Sequence, residues 1–263
     1  MADDLKAGIS VVENLMVPRR LGLFSGTGDP LAAFGRISGM VFPVLMFPAC
    51  ILFGLAELLI PELARCAAAG SRNRIRYLVK RSLKVAMLYG LLFGGLMFLV
   101  AEPLCLKLYK STQAANYLKC YAVLVPMLYC DALTDAMTKG LGQQTACVRY
   151  NILTSGMDVV FLYFLLPRNG MNGDFVSFLI THLINFLLSL RRLLKITGIS
   201  IPISIPVLSM AAAMAAVIGA SWISGNPGQC VAYTAMLGSL LSLCGIVGQE
   251  DIRWFLGLVS AKK

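Results

Sequence analysis

Residues 85–101 read VAMLYGLLFGGLMFLVA, without one charged side chain. Just before them Arg76, Lys80 and Lys84 recur every four residues. A helix that spans a bilayer needs about 20 mainly apolar residues. The run and its flanks therefore predict a membrane helix over about residues 77–104. At helical spacing the three cations form one stripe where this helix enters the membrane. Such a stripe suits anionic headgroups, or simply marks the end that stays inside.

The same pattern extends in both directions. Further apolar segments lie at about 5–23, 37–64, 115–140, 145–167, 174–196, 203–224 and 229–248. Gly and Pro punctuate the joins, as at Gly140 to Gly142, Pro167 to Gly173 and Gly225 to Gly228. No long polar linker interrupts them, so residues 1–263 are expected to form a single transmembrane domain. Its expected fold class is all-α, a polytopic membrane bundle of about eight transmembrane helices. The first segment is the most polar, with Glu13, Asn14, Arg19 and Arg20. It needs neighbouring helices to shield it.

Composition agrees. Of 263 residues, 58% are hydrophobic and 14% charged, against about 25% charged in ordinary globular domains. Mean hydropathy is +0.76. So few charges exclude a soluble enzyme, a disordered chain and a nucleic-acid module. The net charge of +10 then reads as cationic cytoplasmic loops. Fifteen of the 23 Lys and Arg residues fall in the even-numbered joins and at the C-terminus, six in the odd-numbered joins. The expected topology therefore has both termini cytoplasmic in a multi-pass protein of the cell membrane. Met1 to Lys6 is acidic and offers no basic start to a cleavable signal peptide. The eight cysteines lie mostly inside apolar stretches with no CxxC spacing, beside a single His. They read as small apolar packing residues, with no metal site or cofactor expected.

Ionisable groups inside a bilayer carry most of the functional information. Each costs about 2.5–3.5 kcal/mol at mid-membrane and needs a partner or a wet cavity. Asp131, Asp135 and Lys139 share one helical face at i, i+4 and i+8. Asp135 and Lys139 suit an ion pair near the inner interface. Asp131 lies deeper without a local partner, which suits a cavity-facing role. Glu13 is either salt-bridged to a neighbouring helix or, in an apolar pocket, a proton carrier. Arg19 and Arg20, toward the outer end, can grip a phosphate. Asp158 lies near the centre of its span, and its partner is not legible. His182 and Asn185 share a face and read as interhelical hydrogen bonders. Glu62 and Arg65, at i,i+3, read as a surface pair, and Glu57 lies one turn deeper.

These residues fall within motifs that resemble a known group. Gly8 to Arg19 is similar to the seventh span of the stage V sporulation protein B group. The resemblance continues through Phe34-Gly35, Gly39-Met40, Pro43-Val44-Leu45, Phe47-Pro48 and Leu58 to Glu62. Further on come Tyr117-Leu118, Pro126, Tyr129-Cys130-Asp131, Lys139 to Gln144 and Tyr150-Asn151-Ile152, in order. That group belongs to the polysaccharide-transporter branch of the multidrug/oligosaccharidyl-lipid/polysaccharide exporter superfamily. The resemblance implies two pseudo-symmetric helical lobes, of which this chain matches the C-terminal lobe of a MATE-like flippase, the N-terminal lobe being absent.

The implied function is transport of a lipid-linked oligosaccharide or polysaccharide by alternating access. Cationic groups would hold the lipid pyrophosphate, and carboxylates would couple an ion gradient. Expected partners are the amphiphilic substrate, membrane lipids and the missing N-terminal lobe or a partner chain, with no nucleic acid. Substrate and ion-pathway candidates are Glu13, Arg19, Arg20, Asp131, Asp135 and Asp158. No covalent chemistry is expected, so the chain is not expected to be an enzyme. Asp131-Ala-Leu-Thr-Asp135 faintly resembles the DxxxD half of CDP-alcohol phosphotransferases, but the preceding DxxDG run is missing. Two alternatives are a lobe of a drug/cation antiporter, with Glu13, Asp131 and Asp158 forming an acidic cavity, and a non-transporting truncated membrane partner.

Overall fold

A computed structural model describes residues 11–12, 15–24, 29–200, 202, 204–223 and 225–248. The chain is helical from residue 15 to 21, and no strand occurs among the described residues. Nine α-helices follow among the described residues: α1 (Pro30–Arg36), α2 (Phe42–Ala68), α3 (Arg72–Tyr109), α4 (Thr112–Ala122), α5 (Val125–Gly140), α6 (Gln144–Asn169), α7 (Met171–Thr197), α8 (Ser204–Ser221) and α9 (Asn226–Leu243). A π-turn, Ile37–Val41, joins α1 to α2.

The protein is a multi-pass membrane protein by the length and apolarity of its helices. Leu31–Ala68, Arg72–Tyr109, Gln144–Asn169, Met171–Thr197 and Ser204–Ser221 are each long and apolar enough to cross a bilayer. The pair α4 and α5 makes a sixth span if taken together. Eight spans were expected. Residues 5–10, 13 and 14 of the polar first segment, Glu13 among them, lie outside the described residues. The eighth segment is helical as α9, but Asn226, Pro227 and Gln229 dilute its hydropathy. The expected span at 115–140 is divided, because the helix breaks at Val123–Leu124 and restarts with Pro126 in its first turn.

The chain forms two compact units, one from residues 1–90 and 124–200, the other from 91–123 and 201–263. Helix α3 contributes its first half to one and its second half to the other.

In the first unit α2 packs against α5, and α7 packs against α5 and α6. Asp29 caps α1, accepting from the Leu31 and Ala32 amides at 3.1 and 3.2 Å. Pro48 interrupts the hydrogen-bond ladder inside α2. Two tyrosine hydroxyls donate there: Tyr129 to the Leu45 carbonyl and Tyr89 to that of Pro48, each at 2.8 Å. The close approach of α2 and α5 depends on Gly140. A Cβ there would lie 2.9 Å from the Ile60 carbonyl oxygen, against rigid backbone. At the end of this unit that holds Ala68 and Arg72, Glu62 pairs with Arg65 at 3.7 Å, as its i,i+3 spacing suggests, and with Arg74 at 2.6 Å. Arg76 leaves the simple cationic stripe: its Nε donates to the Thr197 carbonyl at 3.0 Å, satisfying the C-terminus of α7.

In the second unit α8 packs on α9, burying Ala212, Ala213, Ala216 and Ala220. Tyr233 of α9 is fully buried and donates to the Leu91 carbonyl at 2.6 Å. Its ring lies over Gly95, where a Cβ would collide with it. Ser111 caps α4 through the Ala114 amide, and Lys119 pairs with Glu102 at 3.6 Å.

All eight cysteines are free thiols, and Cys66, Cys105, Cys130 and Cys147 are buried.

Candidate functional site

Helix α7 carries an unusual row. Ser177, Thr181, Asn185 and Ser189 recur every four residues and all are buried. In a helix this spacing makes one slowly winding ridge. Small polar side chains on such a ridge let neighbouring membrane helices approach closely and hydrogen-bond across. The neighbours are α5 and α6. They bring three of the expected site residues to the same seam.

Asp158 comes from α6. Its Oδ1 accepts from the Ser177 hydroxyl at 2.6 Å and lies 3.3 Å from that of Thr181. Thr181 has one hydroxyl proton and also lies 2.9 Å from the Ser177 carbonyl. That shorter contact takes the proton more readily, so Ser177 is the principal donor to Asp158.

Asp131 comes from α5. The side-chain amide of Asn185 donates to its two oxygens at 3.2 and 3.4 Å. Asp131 was expected to lack a local partner, and α7 supplies one. Asn185 is 8% exposed. Its own Oδ1 is buried without a hydrogen-bond partner. An unsatisfied amide oxygen beside a carboxylate is an acceptor set suited to a small cation or a proton.

Asp135 lies one turn beyond Asp131 on α5. Its Oδ2 pairs with Lys139 at 2.8 Å, as the i,i+4 spacing suggests. Its Oδ1 is buried and has no hydrogen-bond partner. Thr181 and Asn185, which touch the two other carboxylates, are one turn apart, about 6 Å along the axis. The seam therefore holds three carboxylates on adjacent turns of packed helices, with Lys139 as one counter-charge. Such a set favours cation entry, because each carboxylate inside a membrane is costly unless balanced.

The other expected residues lie elsewhere. Arg20 is half-buried, with its guanidinium carbon 3.4 Å from the centroid of the Tyr163 ring of α6, a cation–π contact. Arg19 is exposed. His182 lies against Phe178, with ring centroids 4.1 Å apart and planes tilted by 46°. Glu57 is exposed on α2. No cluster of metal-ligating side chains occurs among the described residues. Ser177 and Thr181 were missed by sequence reasoning. Their signal was the four-residue spacing of polar groups within an apolar helix, which runs on into Asn185.

Comparison with known proteins gives one distant relationship. Over 204 residues the chain is 20% identical to stage V sporulation protein B of Bacillus subtilis (strain 168). The alignment covers 77% of this chain and 39% of that protein, so the chain spans well under half of its relative. No family model matches the chain. No solved structure matches it.

Proposed function

We propose that the chain is the C-terminal lobe of a lipid-linked oligosaccharide or polysaccharide flippase that works by alternating access, driven by an ion gradient. It acts together with a second helical lobe, and it carries out no covalent chemistry. The observation that carries this reading is the acidic seam of Asp131, Asp135 and Asp158 inside a membrane bundle. Half-buried carboxylates held by hydroxyl and amide groups can bind a cation or proton in one state and release it in another. The distant relationship to stage V sporulation protein B supports the transporter class.

In this reading Asp158 and Asp131 are the coupling groups. Ser177 and Asn185 orient them, and the amide oxygen of Asn185 completes the acceptor set at Asp131. The substrate moves past the lobe and not through the seam.

The test is transport in proteoliposomes holding the complete transporter, with a fluorescent lipid-linked sugar and an imposed sodium or proton gradient. Asp158→Asn and Asp131→Asn are expected to reduce gradient-driven flipping at least about tenfold, which is about 1.4 kcal/mol of lost coupling. Gradient-dependent flipping that survives both substitutions unchanged rules the seam out as the coupling site.

A further inference from the structure

Away from the acidic seam, the start of α6 and the end of α7 enclose a cleft of about 340 Å³. Gln143, Thr145, Arg149, Tyr150 and Arg192 line it, and no lining residue is acidic. We propose that this cleft binds a phosphate-type oxyanion, as the phosphodiester of an anionic lipid or as a free phosphate.

The central observation is Arg192. One terminal nitrogen of its guanidinium donates to the Gln143 side-chain oxygen at 2.5 Å. This contact fixes the plane of the group. Its Nε is fully buried and has no acceptor. A buried guanidinium donor left unsatisfied is costly, and most such donors in proteins find a partner. Arginine presents its N–H groups as a planar fork that matches two oxygens of a phosphate. One arm of that fork is held by Gln143, and the guanidinium lies in the wall of the cleft.

Three further features point to an anion. Arg149 adds a second guanidinium, one turn into α6. Gln143 is the N-cap of this 26-residue helix, yet its side chain makes no capping bond; its oxygen is engaged by Arg192 instead. The amides of the first turn thus have no side-chain acceptor at the positive end of the helix dipole. The turn that delivers them is firmly built. Gly142 takes φ +76°, its amide donates to the Lys139 carbonyl at 2.9 Å, and that of Gln143 donates to Thr138 at 3.1 Å.

The position of the cleft explains the two sources. It lies where α6 begins and α7 carries Arg191, Arg192 and Lys195 near its end. In a spanning protein this is the depth of lipid phosphates and the adjoining water.

The experiment uses the full chain purified in a neutral detergent. Inorganic phosphate binding is read by line broadening in phosphorus NMR and by the thermal midpoint. Lipid binding is read by native mass spectrometry after exposure to phosphatidylglycerol, with phosphatidylcholine as the zwitterionic, net-neutral control. The wild-type chain is expected to bind at least one anionic probe. Arg192→Gln and Arg149→Gln are each expected to weaken that binding about tenfold, and Arg65→Gln to leave it unchanged. Arg192→Lys, which keeps the charge and loses the fork, should fall between. Retention of phosphatidylglycerol alone assigns the site to a lipid headgroup, and phosphate binding alone to a soluble ligand. Failure of the wild type to bind either probe, or equal binding by wild type and the Arg149→Gln/Arg192→Gln double variant, overturns the proposal and leaves a cleft holding water only. Circular dichroism confirms that each variant is folded. If the variants do not fold, a wild-type midpoint that does not rise with phosphate or with phosphatidylglycerol overturns the proposal in the same way.

Discussion

The side-chain amide of Asn185 reaches both carboxylate oxygens of Asp131, at 3.2 and 3.4 Å, across 54 residues of sequence. This bond ties α7 to α5 in the middle of an apolar bundle. It leaves the Asn185 oxygen buried beside a carboxylate. The pair therefore holds the seam together and also offers an unpaired acceptor.

Asp131 and Asp135 differ in their neighbours, so their neutralisation should differ in effect. Asp135 already has a cation at 2.8 Å on its own helix. Asp131 is held from another helix, by the Asn185 amide, so a change in its charge is felt across the contact of α5 with α7. In the complete transporter, Asp131→Asn is expected to lower gradient-driven flipping at least about tenfold, and Asp135→Asn less than about threefold. Near-normal transport by both variants would return these residues to a structural role.

The Ser177–Asp158 bond should be measurable in stability. Interhelical hydrogen bonds in membranes are worth about 0.6 kcal/mol on average and up to about 1.7. This one is short and charge-assisted, so Ser177→Ala is expected to cost about 1–2 kcal/mol. Thr181→Val, which keeps the shape, should cost less, because its proton is shared with the Ser177 carbonyl. Reversible denaturation in mixed micelles gives both values. The opposite ranking would show that Thr181 is the principal donor.

Two helix glycines should respond in opposite directions. At Gly140 a new Cβ meets the Ile60 carbonyl oxygen at 2.9 Å. Gly140→Ala must separate α5 from α2 and is expected to cost about 1–3 kcal/mol. At Gly54 nothing lies within 4 Å. Gly54→Ala lowers backbone entropy in a helix and should stabilise by about 0.5–1 kcal/mol. Thermal midpoints in one detergent decide the matter, and equal shifts would contradict the packing.

Orientation is open to direct labelling. Cysteines introduced between Arg72 and Arg76 are expected to react only from the cytoplasmic side, and those between Gly170 and Gly173 only from outside. The exposed Cys50 and Cys120 are first replaced to clear the background. The reverse labelling pattern would invert the topology inferred from the basic residues.

The contacts legible in the sequence are those that a single helix determines. The uncharged run from Val85 to Ala101 identifies a spanning helix because bilayer thickness fixes the length required. The Asp135–Lys139 and Glu62–Arg65 pairs follow from helical spacing alone. The polar row from Ser177 to Ser189 was equally visible, since its period lies within one helix. What it would meet was not. Ser177 finds Asp158 from 19 residues away, Asn185 finds Asp131, and Arg192 finds Gln143 at a separation of 49. No periodicity links residues on different helices. Their meeting depends on crossing geometry, which packing volumes such as the bare Cα of Gly140 determine. The sequence by itself determined that the chain would be helical, would enter a membrane and would carry carboxylates within it. Only the tertiary structure decided which of those carboxylates share a seam, because a charge inside a bilayer is balanced by whichever helix lies beside it.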